Sequence, residues 1–405
     1  MKIKKCRVCE SRLLENLFSL GNLKFTGKFP KKNQKIPSGF INLVMCKKCR
    51  LVQLSNNFDL KYLYNHDYGY RTGINSTMRN HVNEVVKKIT LSASVKPGDN
   101  VLDIASNDGT LLSYYNKNIC TFGVDPLINK YKSDYVNINY KASNFFSFKV
   151  VNAIKKNIKF KAITALSVFY DLKKPLNFLR DIKKILHKDG IFNLEFADLR
   201  LIVNNNMFDT ICHEHLEYYS IYLIDRLLKS IGLRIFDHNY NSINGGSSSY
   251  YICHDESNYK TNKKIKKIII LERKQKIHKI ETYKKMKLKI DKNKKNLMNF
   301  LSKIKSNNKT IHGYGASTKG NVLLQYFGID NKFLDFISDR NPKKKNCYTP
   351  GTNIKIIEEK KSRQLNPDYY LVLPWHFKDE ILIREKTIRK RGTKFIFPLP
   401  KLEII

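Results

Sequence analysis

Two pairs of cysteines are spaced for a metal. Cys6-Arg7-Val8-Cys9 and Cys46-Lys47-Lys48-Cys49 each make a tight knuckle, and two such knuckles brought together supply the four thiolates of a tetrahedral zinc site. A redox role would need one such motif placed after a strand, and neither pair has that setting. A second cluster is acidic. Val101-Leu102-Asp103-Ile104-Ala105-Ser106-Asn107-Asp108-Gly109-Thr110 reads as a strand entering a turn of small and polar residues. A ligand can approach the backbone closely there, at the carboxyl ends of parallel strands. The pattern G-x-G-x-x-G is absent, which argues against a dinucleotide pyrophosphate. Acids in the turn suit a cofactor with a positive charge and no phosphate. Asp125, closing the next strand in Gly123-Val124-Asp125-Pro126, lies where a carboxylate could take both ribose hydroxyls. Asp103 and Asp125 together point to S-adenosylmethionine, with Ala105 to Gly109 as the turn beneath it. Leu166 and Ser167, which end a later strand, complete the expected cofactor set.

A third group could move protons. His213-Glu214-His215 has its histidines two apart, so the metalloprotease pattern H-E-x-x-H is not met. In an extended segment His213 and His215 would share a face with Glu214 opposite. One imidazole could then reach a substrate while the other is structural, and an unperturbed pKa near 6.5 suits either as a proton acceptor. Asn244-Gly245-Gly246-Ser247 allows close backbone approach to a phosphate or sugar, or makes an ordinary hairpin turn. Gly313-Tyr314-Gly315-Ala316-Ser317-Thr318-Lys319-Gly320 resembles a strand, a glycine turn and a helix start. Its N–H groups and Lys319 would cradle a diphosphate, although no Walker loop is matched.

The elements that must position these groups follow a βαβα order, which predicts a doubly wound α/β sheet. Strands are expected at 100–105, 121–124, 161–166 and 191–195, with helices at 76–88 and 175–187. Residues 258–308 alternate Lys with Ile, Leu and Met and hold no Gly or Pro. They predict a lysine-faced helix or helical pair acting as a solvated connector. From residue 310 the strand–turn–helix plan restarts, with strands near 333–338 and 369–373. The expected domains are 1–70 (zinc-binding), 71–257 (methyltransferase), 258–308 (connector) and 309–405 (a C-terminal Rossmann-like α/β unit).

The chain has 405 residues and a formal charge of +40. Its lysines are spread along the whole length instead of forming a stripe, so specific nucleic-acid binding by a zinc ribbon is the minor alternative. No stretch has the roughly 20 apolar residues of a membrane helix, and paired cysteines stand where a signal peptide needs its apolar run. The expectation is a cytoplasmic protein, a monomer or homodimer, without a membrane partner.

In order along nearly the whole chain, the Cys-x-x-Cys pairs, Ser106-Asn107-Asp108-Gly109, Phe208-Asp209-Thr210 through His213-Glu214-His215, Gly245-Gly246-Ser247 and Gly313-Tyr314-Gly315-Ala316 occur together. This set resembles the nucleotide-sugar C-methyltransferases of branched deoxysugar synthesis. The resemblance implies a zinc-binding domain, a class I methyltransferase domain and a C-terminal Rossmann-like domain. It also implies a dTDP-linked 4-keto sugar methylated at C3, where a base removes the proton beside the ketone and the enolate attacks the methyl sulfonium. His215 carries over as that base and Glu214 as its neighbour. Tyr68 and Tyr70 carry over as hydrogen-bond partners of sugar or enolate. The substrate would meet Gly245, Gly246, Ser247, Gly313, Gly315, Ala316, Lys319 and Gly320. The alternative within the same chemistry is O- or N-methylation of a nucleotide-linked or surface-glycan sugar.

Overall fold

A computed structural model of the chain describes residues 1–32, 34–59, 63 and 70–405. The two cysteine knuckles meet because of strand register. β1 (Leu14–Lys24) leaves the first knuckle, β2 (Ser38–Cys46) runs into the second, and antiparallel pairing sets Leu14 opposite Cys46. β3 (Val52–Leu54) continues the sheet beyond the second knuckle. Its outer edge is taken by β9 (Glu217–Tyr218), a segment from the middle of the chain. The zinc sheet therefore grips the residues just past His213-Glu214-His215.

The middle of the chain folds as expected of short β-branched runs bounded by turns. β4 (Asn100–Ile104), β5 (Cys120–Val124), β6 (Tyr140–Ala142), β7 (Phe160–Leu166) and β8 (Leu186–Ala197) lie parallel, and the hairpin β10 (Leu233–Asn241) and β11 (Ser247–His254) joins antiparallel. The sheet order is β10-β11-β8-β7-β4-β5-β6. The direction of winding thus changes between β4 and β7, the switch point where ligands enter such sheets. Both faces are covered, and Val101, Phe122, Phe160, Ile163 and Phe192 are fully buried.

Residues 258–308 form the expected helical pair, Lys264–Lys274 and Ile280–Ser306, but the pair is not a solvated connector. Tyr283, Met286, Ile290, Leu297, Leu301 and Ile304 recur at helical spacing and are buried, and the long helix packs against β1. The lysines fill its outer face only. Asn293 donates to the Pro398 carbonyl and Lys294 to that of Tyr326, so the helix is also bonded to the C-terminal unit. On the shorter helix, Glu272 accepts from the backbone N–H groups of Ile221 and Tyr222 and so caps the helix Ile221–Lys229.

The C-terminal unit is a second mostly parallel sheet. β12 (Ile311–Tyr314), β13 (Phe336–Asp339), β14 (Ile356–Glu358), β15 (Tyr369–Val372), β16 (Lys394–Phe397) and β17 (Glu403–Ile404) take the order β14-β13-β12-β15-β16-β17. The helix Thr318–Phe327 follows β12. It is locked to the zinc sheet, because Asn321 donates to the Thr26 carbonyl and Gln325 pairs with the backbone of Lys24. Among the described residues no helix is long and apolar enough to cross a membrane.

Candidate active site

The four thiols form one cluster. Their sulfurs all lie within 4.8 Å of one another, with Cys6 to Cys49 at 3.6 Å and Cys9 to Cys46 at 3.5 Å. A tetrahedron with zinc–sulfur bonds of about 2.3 Å sets its sulfurs about 3.8 Å apart, so the donor set fits zinc, and four thiolates close the site to substrate. Arg7, inside the first knuckle, reaches the carbonyls of Leu54 and Leu216. The knuckle is thereby tied to the backbone beside His215.

A cavity of about 560 Å³ opens at the carboxyl ends of β4, β5 and β7 and extends to the C-terminal unit. Asp103, Ala105, Ser106, Asn107, Asp125, Leu166 and Ser167 line it. The turn is wound through left-handed backbone at Ala105 (φ 59°) and Asn107 (φ 52°), and Ser167 (φ 57°) repeats this across the switch point. Such conformations cost energy in non-glycine residues and persist where the surroundings fix them. Asp125 fixes the Asn107 end of the turn, its carboxylate accepting from the N–H groups of Asn107 (3.0 Å) and Leu127 (2.6 Å), while the Ala105 and Ser167 N–H groups are held by the carbonyls of Val124 and Glu195. Burial raises the Asp125 carboxyl to about 6 and that of Asp103 to about 7.

Asp108 and Gly109 lie outside the cavity wall. Asp108 instead holds the entry segment, accepting from the Gly73 N–H and from Arg71. Gly109 (φ 75°) is packed so that a side chain would strike Ile138 and Tyr135.

The three residues of the His-Glu-His motif face differently from the expected alternation, because the segment is a turn and not a strand. Glu214 and His215 line the cavity, whereas His213 is fully buried between Phe25 and Phe58 and bonded to the carbonyls of Leu23 and Gly39. His213 therefore belongs to the joint with the zinc sheet, with its pKa lowered to about 4 by burial. His215 Nδ1 donates to the Thr210 carbonyl at 2.8 Å, which leaves the lone pair on Nε2. Burial, with Lys319 adding to it, lowers His215 to about 3, so the ring is neutral. Glu214 sits against Gly27, where any side chain would collide with its carboxylate, and burial raises its pKa.

The glycine motifs are packing devices more than cradles. A side chain at Gly245 would meet Met207 and Trp375, one at Gly246 would meet Leu201, and Ser247 bonds the Ile243 carbonyl. None of the three lines the cavity; Asn244 does. Gly313 packs on Ile337 and Gly320 on Leu373. Gly315 and Ala316 line a smaller neighbouring cavity of about 220 Å³. The Ala316 N–H already serves Asp339, so that turn is not an open anion cradle. Lys319 turns away from it and into the larger cavity, where it donates to the Asn244 carbonyl at 2.7 Å. Tyr70 lines both cavities; Tyr68 lies outside the described residues.

Thr210, from the Phe208-Asp209-Thr210 motif, also lines the large cavity, as do Tyr170 and His376, to which the sequence reading gave no role. The signal for His376 is its place as the polar residue of Trp375-His376-Phe377 directly beyond a buried strand.

Three family models match in succession: a zinc binding domain over residues 6–64, a methyltransferase domain over 77–238 and a C-methyltransferase C-terminal domain over 242–400. Among curated proteins, the C-methyltransferase NovU of Streptomyces niveus is 25% identical over 408 residues, spanning 100% of this chain and 97% of that protein. Among solved structures, an S-adenosylmethionine-dependent methyltransferase from Clostridium acetobutylicum is 13% identical with a TM-score of 0.35, covering 44% of this chain and 92% of its own. Magnesium protoporphyrin IX methyltransferase from Synechocystis is likewise 13% identical, with a TM-score of 0.35, covering 46% and 90%. Likenesses that weak say nothing about the chemistry of the site.

Sheet order, acidic turn and family matches define an S-adenosylmethionine-dependent methyltransferase of the class I fold, with a four-thiolate zinc domain built in. More particularly, it joins in one chain a zinc-binding, a methyltransferase and a C-methyltransferase C-terminal region, the order in which the three family models match, and is similar over its whole length to a C-methyltransferase.

Proposed function

We propose that this chain methylates a carbon beside the ketone of a nucleotide-linked keto sugar, with His215 as the base. The observation that carries the reading is the fixed tautomer of His215, whose Nε2 lone pair is left for the cavity that also holds Asp103 and Asp125. When bound, S-adenosylmethionine supplies an electrophilic methyl group. The ribose hydroxyls would sit on Asp125, whose carboxylate oxygens each keep a lone pair beyond their backbone bonds, and Ala105 to Asn107 with Leu166 and Ser167 would frame the rest.

A neutral imidazole at Nε2 can take a proton made acidic by the neighbouring carbonyl. Glu214 stands beside it in the wall. The sugar's nucleotide would extend into the smaller cavity, which shares Tyr70, Ser317 and Thr318 with the larger one and is lined by Arg71, Arg340, Lys344 and Arg384, the last three ion-paired with Glu380, Asp339 and Glu359 of the same wall. Gly315 and Ala316 would meet it there.

The test is purified protein with S-adenosylmethionine and a panel of nucleotide-linked 4-keto sugars, read by mass spectrometry for a gain of one methyl and by NMR for its attachment. A methyl bonded to carbon is expected. A methyl bonded to oxygen or nitrogen would replace this reading, and no gain with any keto sugar would remove the substrate class.

A further inference from the structure

His376 enters the methyl-transfer cavity from the C-terminal unit, on the turn Trp375–Phe377 beyond β15. Trp375 anchors that turn. Its Nε1 donates to Asp209 at 2.8 Å, and its ring lies where a side chain at Gly245 would fall. The ring of His376 is thus positioned by the same Phe208-Asp209-Thr210 segment that holds His215 through the Thr210 carbonyl.

A neutral imidazole has one N–H and one lone pair, so the surroundings of Nδ1 decide what Nε2 can do. In His215, Nδ1–H is given to Thr210, and Nε2 is an acceptor. His376 is the reverse. Its Nδ1 is sealed from solvent and, among the described residues, has no hydrogen-bond partner. A proton there would be an orphaned buried donor, which structures avoid more strictly than an unmet acceptor. The proton therefore sits on Nε2, the nitrogen left to the cavity. Burial and the nearby Lys319 ammonium hold this ring well below the ordinary histidine range, so it stays neutral.

We propose that His376 is a catalytic residue that donates its Nε2–H to the substrate carbonyl oxygen while His215 Nε2 removes the proton from the adjacent carbon. The proposal rests on the keto-sugar reading above. The C–H pair becomes the C=C bond of an enolate, the carbonyl π pair moves to the oxygen held by His376, and the proton resides on His215. The enolate carbon then bonds the methyl group, the S–CH3 bond breaking with its pair left on sulfur. The oxygen pair returns to restore the ketone, and His215 loses its proton to solvent.

The experiment uses zinc-loaded enzyme, S-adenosylhomocysteine and a nucleotide-linked 4-keto-6-deoxyhexose in deuterated solvent, with exchange of the carbon-bound proton followed by NMR. His376→Ala is expected to slow both exchange and methylation by about 10²- to 10³-fold, the range for removing one oxyanion donor. His376→Gln, whose amide N–H can reach the same place, should recover to within about tenfold of wild type. S-adenosylmethionine affinity, unchanged in both, certifies the fold. Exchange at the wild-type rate in His376→Ala, or a Gln variant no better than Ala, overturns the proposal. Nitrogen-15 NMR reads the tautomers without substrate, and a proton on Nδ1 of His376 overturns it independently. Wild-type enzyme that binds cofactor yet exchanges none of the keto sugars would instead sink the keto-sugar reading, an outcome distinct from any His376 effect.

Discussion

Two acids with raised pKa values give the cofactor site a pH dependence whose sign can be worked out. Asp103 near 7 and Asp125 near 6 are lifted chiefly by burial, so each loses charge as pH falls through those values. Their ionised forms are the better partners for a cationic cofactor and its ribose. Affinity for S-adenosylmethionine should therefore decline from pH 8 to pH 5, and binding near pH 6.5 should release protons, which calorimetry in buffers of different ionisation enthalpy measures. Asp125→Ala is expected to weaken binding by about 1 to 3 kcal/mol, the range for leaving buried polar partners unmet; unchanged affinity would place the ribose elsewhere. His215, near 3, stays neutral over that whole range and should add no acidic limb to turnover. A strand end marks Asp125 in the sequence, and the resemblance to a family, not spacing, singled out His215. Spacing alone could not tell His215 from His213, because that choice depends on how a turn faces Phe25 and Phe58 from the zinc sheet.

At the scale of elements, the zinc knuckles do more than staple the first sixty residues. Cys46 ends β2, Cys49 precedes β3, and β3 pairs with β9 two residues beyond His215. Replacing Cys46 by Ser should lower the melting temperature and also turnover, whereas affinity for S-adenosylmethionine, which rests on the ends of β4, β5 and β7 and not on this joint, should fall much less. A zinc-free variant with full stability and full activity would contradict this. Strands β4, β5, β7 and β8 of one sheet and β12, β13 and β15 of the other were legible because short β-branched runs between turn formers have few other readings, whereas β6, β10, β11, β14, β16 and β17 were not read. The pairing of β3 with β9 was not, since two residues of strand carry no periodicity. The helix Ile280–Ser306 was legible as a helix but not as a buried one. Its apolar stripe is diluted by lysines at neighbouring positions, and only tertiary packing shows which face is inside.

Across the whole molecule, that helix is a brace between the zinc sheet and the C-terminal unit. Leu297→Ala or Leu301→Ala, each removing a fully buried side chain, should cost about 2 to 5 kcal/mol, measurable by denaturant unfolding, and an effect under about 1 kcal/mol would show the brace to be loose. The substrate side of the cavity was the least readable part, because Lys319 and His376 reach it from residues far along the chain from His215. The strand exchange at β9 also bears on how the chain is made. β3, with Val52, Gln53 and Leu54 all buried in the finished protein, emerges from the ribosome long before its outer neighbour has been synthesised. Until then its hydrogen-bonding edge is an open template, the kind of edge that recruits other chains. A fragment ending at residue 70 should bind zinc and yet self-associate, and adding β9 as a separate peptide should suppress that association.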